Sequence, residues 1–248
     1  ALAMAMVLSM AVSTSAALGK PGSSTPSTKT EQSSSSSKKS SSSSSSSKEY
    51  DLCKTQLAKD KLALSMHNTF LSGLKANKDK ITVSIKGYTE KQGYAAFQSS
   101  LQMIFDEHPE IFWLDTMQNL VVSSDHKTLT FYPRPASGYG TASKDGLTAS
   151  KLNTTAIKNT TAKMNEAVKK MTGSTTYEQV KAIHDGIINK TQYPANPDKA
   201  THNQHQAVGP LVEGKAVCDG YAKAFKYACD QKGIPCVIVV GNATNNIG

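Results

Sequence analysis

A run of serines removes the first part of this chain from any folded core. Serine fills positions 33–37 and 40–47 without interruption, and residues 20–48 contain little besides Ser, Thr, Lys, Pro and Gly. Such a segment has too little apolar surface to offset the conformational entropy that is lost on folding. We therefore predict a disordered Ser- and Lys-rich linker over residues 20–48. The folded part begins near Glu49 and is long enough to bury a sizeable core.

The residues before the linker have the pattern of an export signal. An apolar run over residues 1–12 is followed by small residues at 13–17, which suit cleavage by a signal peptidase. The run is shorter than the roughly 20 apolar residues that span a bilayer. We interpret residues 1–19 as a partial signal peptide whose beginning is missing, with an apolar helix of a domain as the alternative. The expected location is secreted or at the cell surface, without a transmembrane span.

The basic charge of the chain does not indicate a nucleic-acid partner. The formal net charge is +9 at pH 7, and Arg134 is the one arginine among the 28 basic residues. Readers of nucleic acids usually combine arginine with exposed aromatic residues interleaved among basic patches. The sequence shows neither feature, so we expect no nucleic-acid function.

The pattern of residues 49–135 predicts a small α+β module. Apolar residues recur at helical spacing over residues 50–75 and 94–107, whereas residues 81–85 alternate as in a strand. Residues 111–114, 119–123 and 128–132 are predicted as further short strands. Residues 136–150 follow as a linker rich in residues that break helices and strands.

Residues 151–248 are predicted to form a second unit. A helix is expected over residues 151–171, and Thr175 with Glu178 forms the pattern of a capping box at the next helix. A polar loop over 195–206 leads toward a helix that begins at Cys218 and ends at Gly233. The β-branched run 236–240 is predicted as a buried strand.

Cys218 has the setting of a nucleophile. A loop of small residues delivers it to the first turn of a predicted helix, where unpaired amides and the helix dipole favour the thiolate. Its own backbone N–H is a candidate donor to an oxyanion. Asp219 opposes the thiolate electrostatically, so we expect it to have a structural role. The competing interpretation of Cys218 is a buried core residue.

The stretch from Gly214 to Gly241, GKAVCDGYAKAFKYACDQKGIPCVIVVG, resembles the transglutaminase-like core of exported bacterial proteins. That family has a papain-like cysteine fold, so the resemblance implies an incomplete core of this kind within residues 151–248. It also implies that Cys218 is the catalytic nucleophile. The family's His and Asp would follow the run 236–240, and we expect them to lie beyond residue 248. On this interpretation the chain is truncated, and residues 1–248 alone lack turnover.

Other polar residues near Cys218 in sequence are weaker candidates. His202 and His205 lie in the polar loop and either approach Cys218 or are merely solvated, the second being preferred. His184 is expected to pack against the core or to cap its helix. Gln204 and Gln206 are alternative donors to an oxyanion, but nothing in the sequence fixes their geometry.

The other cysteines do not predict a disulfide framework. Cys218 and Cys229 share one helix and lie roughly 16 Å apart, beyond bridging distance. Cys229 and Cys236 flank the helix end and either approach each other or serve as small buried residues. Cys53 has no obvious partner. No spacing predicts a metal site or a cofactor.

The sequence leaves two main functions open. The first is an exported cysteine acyl-transfer enzyme, a peptidase, amidase or cross-linking enzyme that acts on protein or peptide, with cell-wall peptide as one candidate. The second is a non-catalytic module of the same fold that binds the cell surface or wall. A protein-binding array with Cys218 in its core is a third, less favoured interpretation. The oligomeric state and the substrate stay open.

Overall fold

The computed structural model of the protein describes residues 5–8, 56–145 and 148–240. The predicted linker 20–48, most of the predicted signal peptide and Cys53 lie outside these ranges. Within them the chain contains both helices and strands, which confirms the predicted α+β class. No helix among the described residues is long and apolar enough to cross a membrane.

A four-stranded antiparallel sheet lies in the first part of the fold, in the spatial order β1-β3-β4-β2. Its central strands form a hairpin in which Leu120 pairs with Phe131. Strand β1 comes from the apolar run at the N-terminus, whose interpretation as a partial signal peptide stays a prediction. The strands are β1 (Ala5–Leu8), β2 (Ile81–Ser84), β3 (Gln118–Val122) and β4 (Thr128–Tyr132).

Two helices accompany this sheet, α1 (Lys61–Lys75) and α2 (Glu90–Glu107). Helix α2 begins four residues before the predicted residue 94. The reason is a capping box in which the Thr89 hydroxyl accepts from the Gln92 backbone, while the Gln92 side chain accepts from the Thr89 N–H at 2.9 Å. This pairing satisfies amides of the first turn, so the helix starts at the cap and not at the first apolar residue.

Three phenylalanines join the helices to the sheet. Phe70 of α1, Phe97 of α2 and Phe131 of β4 are all fully buried. Their ring centroids lie 5.2–5.7 Å apart in edge-to-face pairs. Such pairs add about 0.5–1.5 kcal/mol each beyond the burial of their apolar area.

The strand predicted over residues 111–114 is wrong. The chain forms a 3₁₀ turn at Pro109–Ile111, and Leu114 makes only an isolated bridge to Pro135. Proline at the first position fixes a backbone angle that suits a turn. Trp113 and Leu114 are nevertheless buried. A short apolar run indicates burial but does not distinguish a strand from a packed turn.

Residues on both sides of the predicted linker 136–150 contribute to one apolar core. Within the linker, Tyr139 is buried and its ring packs edge-to-face on Phe112 at 5.2 Å. A two-stranded ribbon, β5 (Gly140–Thr141) with β6 (Lys151–Leu152), closes this segment. The predicted division into domains stays a prediction.

Within residues 148–240 three α-helices follow: α3 (Thr154–Lys169), α4 (Thr176–Ile188) and α5 (Cys218–Gln231). The side chain of Asn153 caps α3, so this helix starts three residues later than predicted. The capping box of Thr175 and Glu178 at the start of α4 is confirmed.

The buried strand predicted over residues 236–240 is wrong for the described structure. These residues form no strand, and Val239 and Val240 are 87% and 75% exposed. A strand is stable only when a neighbouring strand takes up its backbone hydrogen bonds. Here the Ile238 N–H donates instead to the carboxylate of Glu107, at 2.9 Å.

Candidate active site

Cys218 is the first residue of α5, and its side chain is exposed. The loop before it is fixed by backbone hydrogen bonds on two sides. The Val217 N–H donates to the Gln204 carbonyl at 3.1 Å, and the Ala216 N–H donates to the Gln192 carbonyl at 3.2 Å. The predicted start of the helix is confirmed, and the alternative of a buried Cys218 is wrong.

Gly220 permits the close approach of the polar loop to this helix. A Cβ atom at this position would lie 2.2 Å from the Gln204 carbonyl oxygen, closer than van der Waals contact allows. Glycine is the residue that lets two backbones come this near. Its place directly after Cys218 and Asp219 therefore fixes the loop against the first turn of α5.

The first turn of α5 offers amide donors beside the thiol. Val217, at the N-cap, makes no side-chain capping bond. Amides at the start of a helix have no partner within the helix, and their partial positive charge favours an anion. The Gly220 N–H of this turn donates to the Asp219 carboxylate at 3.0 Å, so this acid takes up part of the positive potential.

Two tyrosines flank Cys218, and neither was predicted to be part of the site. Tyr221 lies one helical turn after Cys218 and donates its hydroxyl to the Thr191 carbonyl at 2.8 Å. The ring of Tyr193 stacks on that of Tyr221, with centroids 6.4 Å apart. Partial burial raises the pKa of Tyr193 and the Cys218 side chain raises it further, whereas a hydrogen bond from the Cys218 backbone lowers it.

Asp219 takes part in a charged group next to the nucleophile position. His205 Nδ1 lies 3.0 Å from each carboxylate oxygen of Asp219, and the Lys223 Nζ lies 4.0 Å from it. Lys223 also donates to the His205 carbonyl at 3.0 Å. Burial lowers the pKa of Lys223, which Asp219 and Asp106 counteract. The Asp219 carboxylate is therefore bound to the His205 ring and lies near the Lys223 ammonium, which offsets part of its repulsion of a thiolate.

The two histidines of the polar loop are bound to other groups. His202 Nε2 lies 2.7 Å from the Phe112 carbonyl, and burial lowers the pKa of His202. His205 is paired with Asp219. Within the described residues neither ring makes a hydrogen bond to Cys218. The preferred prediction, that these histidines are merely solvated, is wrong for His202, because its ring joins the loop to the first part of the fold.

The remaining polar candidates do not reach the site. The Gln204 side chain accepts from the Thr201 N–H at 3.1 Å, which closes its own turn. Gln206 is buried. His184 lies in α4 with its side chain 59% exposed beside Asp185, so its predicted packing or capping role is wrong.

A comparison with protein-family models gives one result for the C-terminal part of the chain. Residues 164–247 match the model of the transglutaminase-like superfamily. The recognition of this family is thereby confirmed for a segment that begins within α3 and includes α4, Cys218 and all of α5. A comparison with curated proteins finds no match. We refer to residues 164–247 below as the transglutaminase-like segment.

Proposed function

We propose that this chain belongs to an exported cysteine acyl-transfer enzyme in which Cys218 is the nucleophile. The observation that carries the proposal is an exposed cysteine at the first position of a helix within the transglutaminase-like segment. Export and a surface location are part of the proposal and rest on the sequence of residues 1–48. The proposed substrates are proteins or peptides, with cell-wall peptide as one candidate.

In the proposed reaction the Cys218 sulfur attacks the carbonyl carbon of a peptide bond or a glutamine carboxamide. In the proposal the Cys218 N–H turns from the Tyr193 hydroxyl to the oxyanion of the tetrahedral intermediate. Breaking the C–N bond releases an amine from a peptide or ammonia from a glutamine, which takes the proton that the Cys218 thiol has lost, and leaves a thioester on Cys218. Water then gives a carboxylic acid, or a second amine gives a new amide.

The proposal assigns no base to His202 or His205. Their ring contacts with Phe112 and Asp219 explain the position of the loop without a role in proton transfer. From the resemblance to the family, we expect the base to follow the run 236–240. A test of the nucleophile should therefore not depend on the protonation of a leaving group.

An activated ester provides such a test, because p-nitrophenolate leaves without taking a proton. We expect p-nitrophenyl acetate to acetylate Cys218 at pH 7, as seen by mass on the tryptic peptide of residues 216–223. Cys218→Ser should remove this modification, while Cys229 and Cys236 serve as internal controls on separate peptides. Acetylation of Cys218 no faster than that of free cysteine would refute the nucleophile and favour the non-catalytic binding module.

A further inference from the structure

The other two described cysteines meet at the far end of α5. Cys229 lies in the last turn and is 1% exposed, whereas Cys236 follows the helix and is half-buried. Both are free thiols. Cys229 belongs to the buried apolar core and Cys236 packs against it, and each thiol perturbs the pKa of the other, raising that of Cys229 and lowering that of Cys236.

The end of the helix brings these two residues together. The Cys229 carbonyl accepts from the Lys232 N–H at 3.0 Å and from the Ile234 N–H at 2.9 Å. Gly233 adopts a left-handed conformation with φ of 67°, which reverses the chain direction at low cost. The reversal returns the following residues along the face of α5 that carries Cys229.

A buried lysine fixes the returning segment. Lys226 lies one turn before Cys229 on the same helix, and its Nζ donates to the Cys236 carbonyl at 3.0 Å. Lys226 and Glu107 are both 6% exposed and pair at 3.4 Å. Because Glu107 also accepts from the Ile238 N–H, the backbone is held at Cys236 and at Ile238.

We propose that Cys229 and Cys236 form a redox-active dithiol that closes to an intramolecular disulfide when it meets a disulfide oxidant such as oxidised glutathione. The proposal does not rest on the nucleophile assigned above, because it involves neither Cys218 nor its neighbours. No cofactor is required, since the glutathione disulfide takes up the two electrons.

The two thiols have different roles in the reaction. Cys236 is the more accessible, and the hydrogen bond from Cys229 lowers the pKa of Cys236, so its thiolate attacks the oxidant. The hydrogen bond to Cys236 and burial raise the pKa of Cys229, which keeps this residue protonated and out of reach of the oxidant. Cys229 is therefore the resolving thiol.

The steps balance with one molecule of oxidised glutathione. The Cys236 thiolate attacks one sulfur of the oxidant, the S–S bond breaks, and a glutathione thiolate leaves. Cys229 then gives its proton to solvent, and its sulfur attacks the Cys236 sulfur of the mixed disulfide. A second glutathione thiolate leaves, so two protein thiols are oxidised and one glutathione disulfide becomes two thiols.

Trypsin separates the cysteines of this chain, which makes the test direct. Cleavage after Lys226 and Lys232 places Cys229 on residues 227–232 and Cys236 on residues 233–248, while Cys218 and Cys53 fall on other peptides. The folded chain is incubated with oxidised glutathione, blocked with N-ethylmaleimide at set times and digested. We expect a glutathione adduct on the Cys236 peptide first, and then a linked pair of the two peptides that dithiothreitol releases.

Variants separate the two roles. Cys229→Ala removes the resolving thiol, so the glutathione adduct should persist on Cys236 with no linked pair. Cys236→Ala should leave Cys229 unmodified because it is buried. Cys218→Ser is the matched control and should leave the rate of linking unchanged. If a variant fails to fold, the order of products in the unmodified chain still decides the question.

Two results would overturn the proposal. One is a wild-type chain in which Cys229 and Cys236 stay free while Cys218 or Cys53 reacts. The other is a stable glutathione adduct on Cys236 that never resolves although Cys229 is present. Failure of the ester test at Cys218 would leave this proposal intact, and failure here would leave the nucleophile intact.

Discussion

The two ends of helix α5 give the same residue type two different chemical environments. At the N-terminal end Cys218 is exposed beside helix amides, two tyrosines and the His205–Asp219 pair. At the C-terminal end Cys229 is buried against Cys236. Helix amides and exposure favour a nucleophile, whereas burial and a second thiol favour a resolving partner. The position of a cysteine along α5 therefore determines its chemistry, because the two ends of the helix provide different environments.

The largest expected effect comes from breaking the buried ion pair at the C-terminal end. Lys226→Met leaves the buried Glu107 carboxyl, and Asp230 beside it, without their lysine. Removing one partner of a buried pair costs about 3–5 kcal/mol of unfolding free energy. We expect a loss of this size in urea denaturation, together with slower disulfide closure and unchanged acetylation of Cys218.

The control for this variant is Lys170→Met, which removes an exposed pair with Glu166 on α3. Its effect on urea denaturation should fall within the error of the measurement, because exposed pairs contribute little. If both variants lost the same free energy of unfolding, the structural role of Lys226 would be contradicted. A parallel loss of Cys218 reactivity in folded Lys226→Met would show that the two ends are not independent.

The next effect concerns the close approach at the N-terminal end. Gly220→Ala places a methyl group against the Gln204 carbonyl, so the loop or the helix must move. Overpacking of this kind costs about 1–3 kcal/mol. The free energy of unfolding in urea and the rate of Cys218 acetylation should both decrease. Ala222→Ser, at an exposed position of the same helix, should change neither quantity. If Gly220→Ala changed neither quantity, the loop would not pack against α5 as described.

The start of α5 and its cysteine were predictable because the signal is local. Small residues before Cys218 and the apolar spacing after it depend on nearby sequence alone, as does the capping box at Thr175. The contacts that complete the site are not local. Tyr193 reaches Cys218 only because the loop folds back through hydrogen bonds to Gln192 and Gln204. Nothing in its own sequence context indicates that position.

The wrong strand predictions have a related cause. Residues 111–114 and 236–240 are apolar. Their composition predicts that they are either buried or paired in a sheet, but it does not distinguish these two outcomes. Pro109 turns the first run into a packed turn, and the Ile238 amide of the second is taken by Glu107. A strand depends on a partner elsewhere in the chain, which a single segment does not reveal. Helices, whose hydrogen bonds are internal, were predicted more closely.

A smaller effect is expected from the histidine that ties the loop at the N-terminal end to the first part of the fold. Burial lowers the pKa of His202, with Lys223 and His205 acting in the same direction and Asp115 and the Phe112 carbonyl in the opposite one. The folded state therefore disfavours the protonated form of His202. The contribution of the neutral ring to the free energy of unfolding is fully present above the ordinary pKa of about 6.5, and it is lost as the pH falls below that value.

His202→Gln keeps a donor for Phe112 but does not titrate. We expect the stability difference between wild type and His202→Gln to shrink steadily from pH 7.5 to pH 5 in urea denaturation. The rest of the chain is the same in both proteins, so its pH dependence cancels in the difference. A difference that stays constant over this range would contradict the burial of His202.

The smallest effect tests whether Tyr193 belongs to the nucleophile's environment. Tyr193→Phe keeps the ring stack on Tyr221 but removes the hydroxyl whose pKa Cys218 perturbs. A neutral hydrogen bond contributes about 0.5–1.5 kcal/mol, which corresponds to a roughly two- to tenfold slower acetylation of Cys218 at pH 7. Tyr221→Phe is the matched control, since its hydroxyl is bound to Thr191 and should not affect the rate. Equal effects of the two variants would assign the tyrosines to packing, and the thiol of Cys218 would then depend on the helix amides alone.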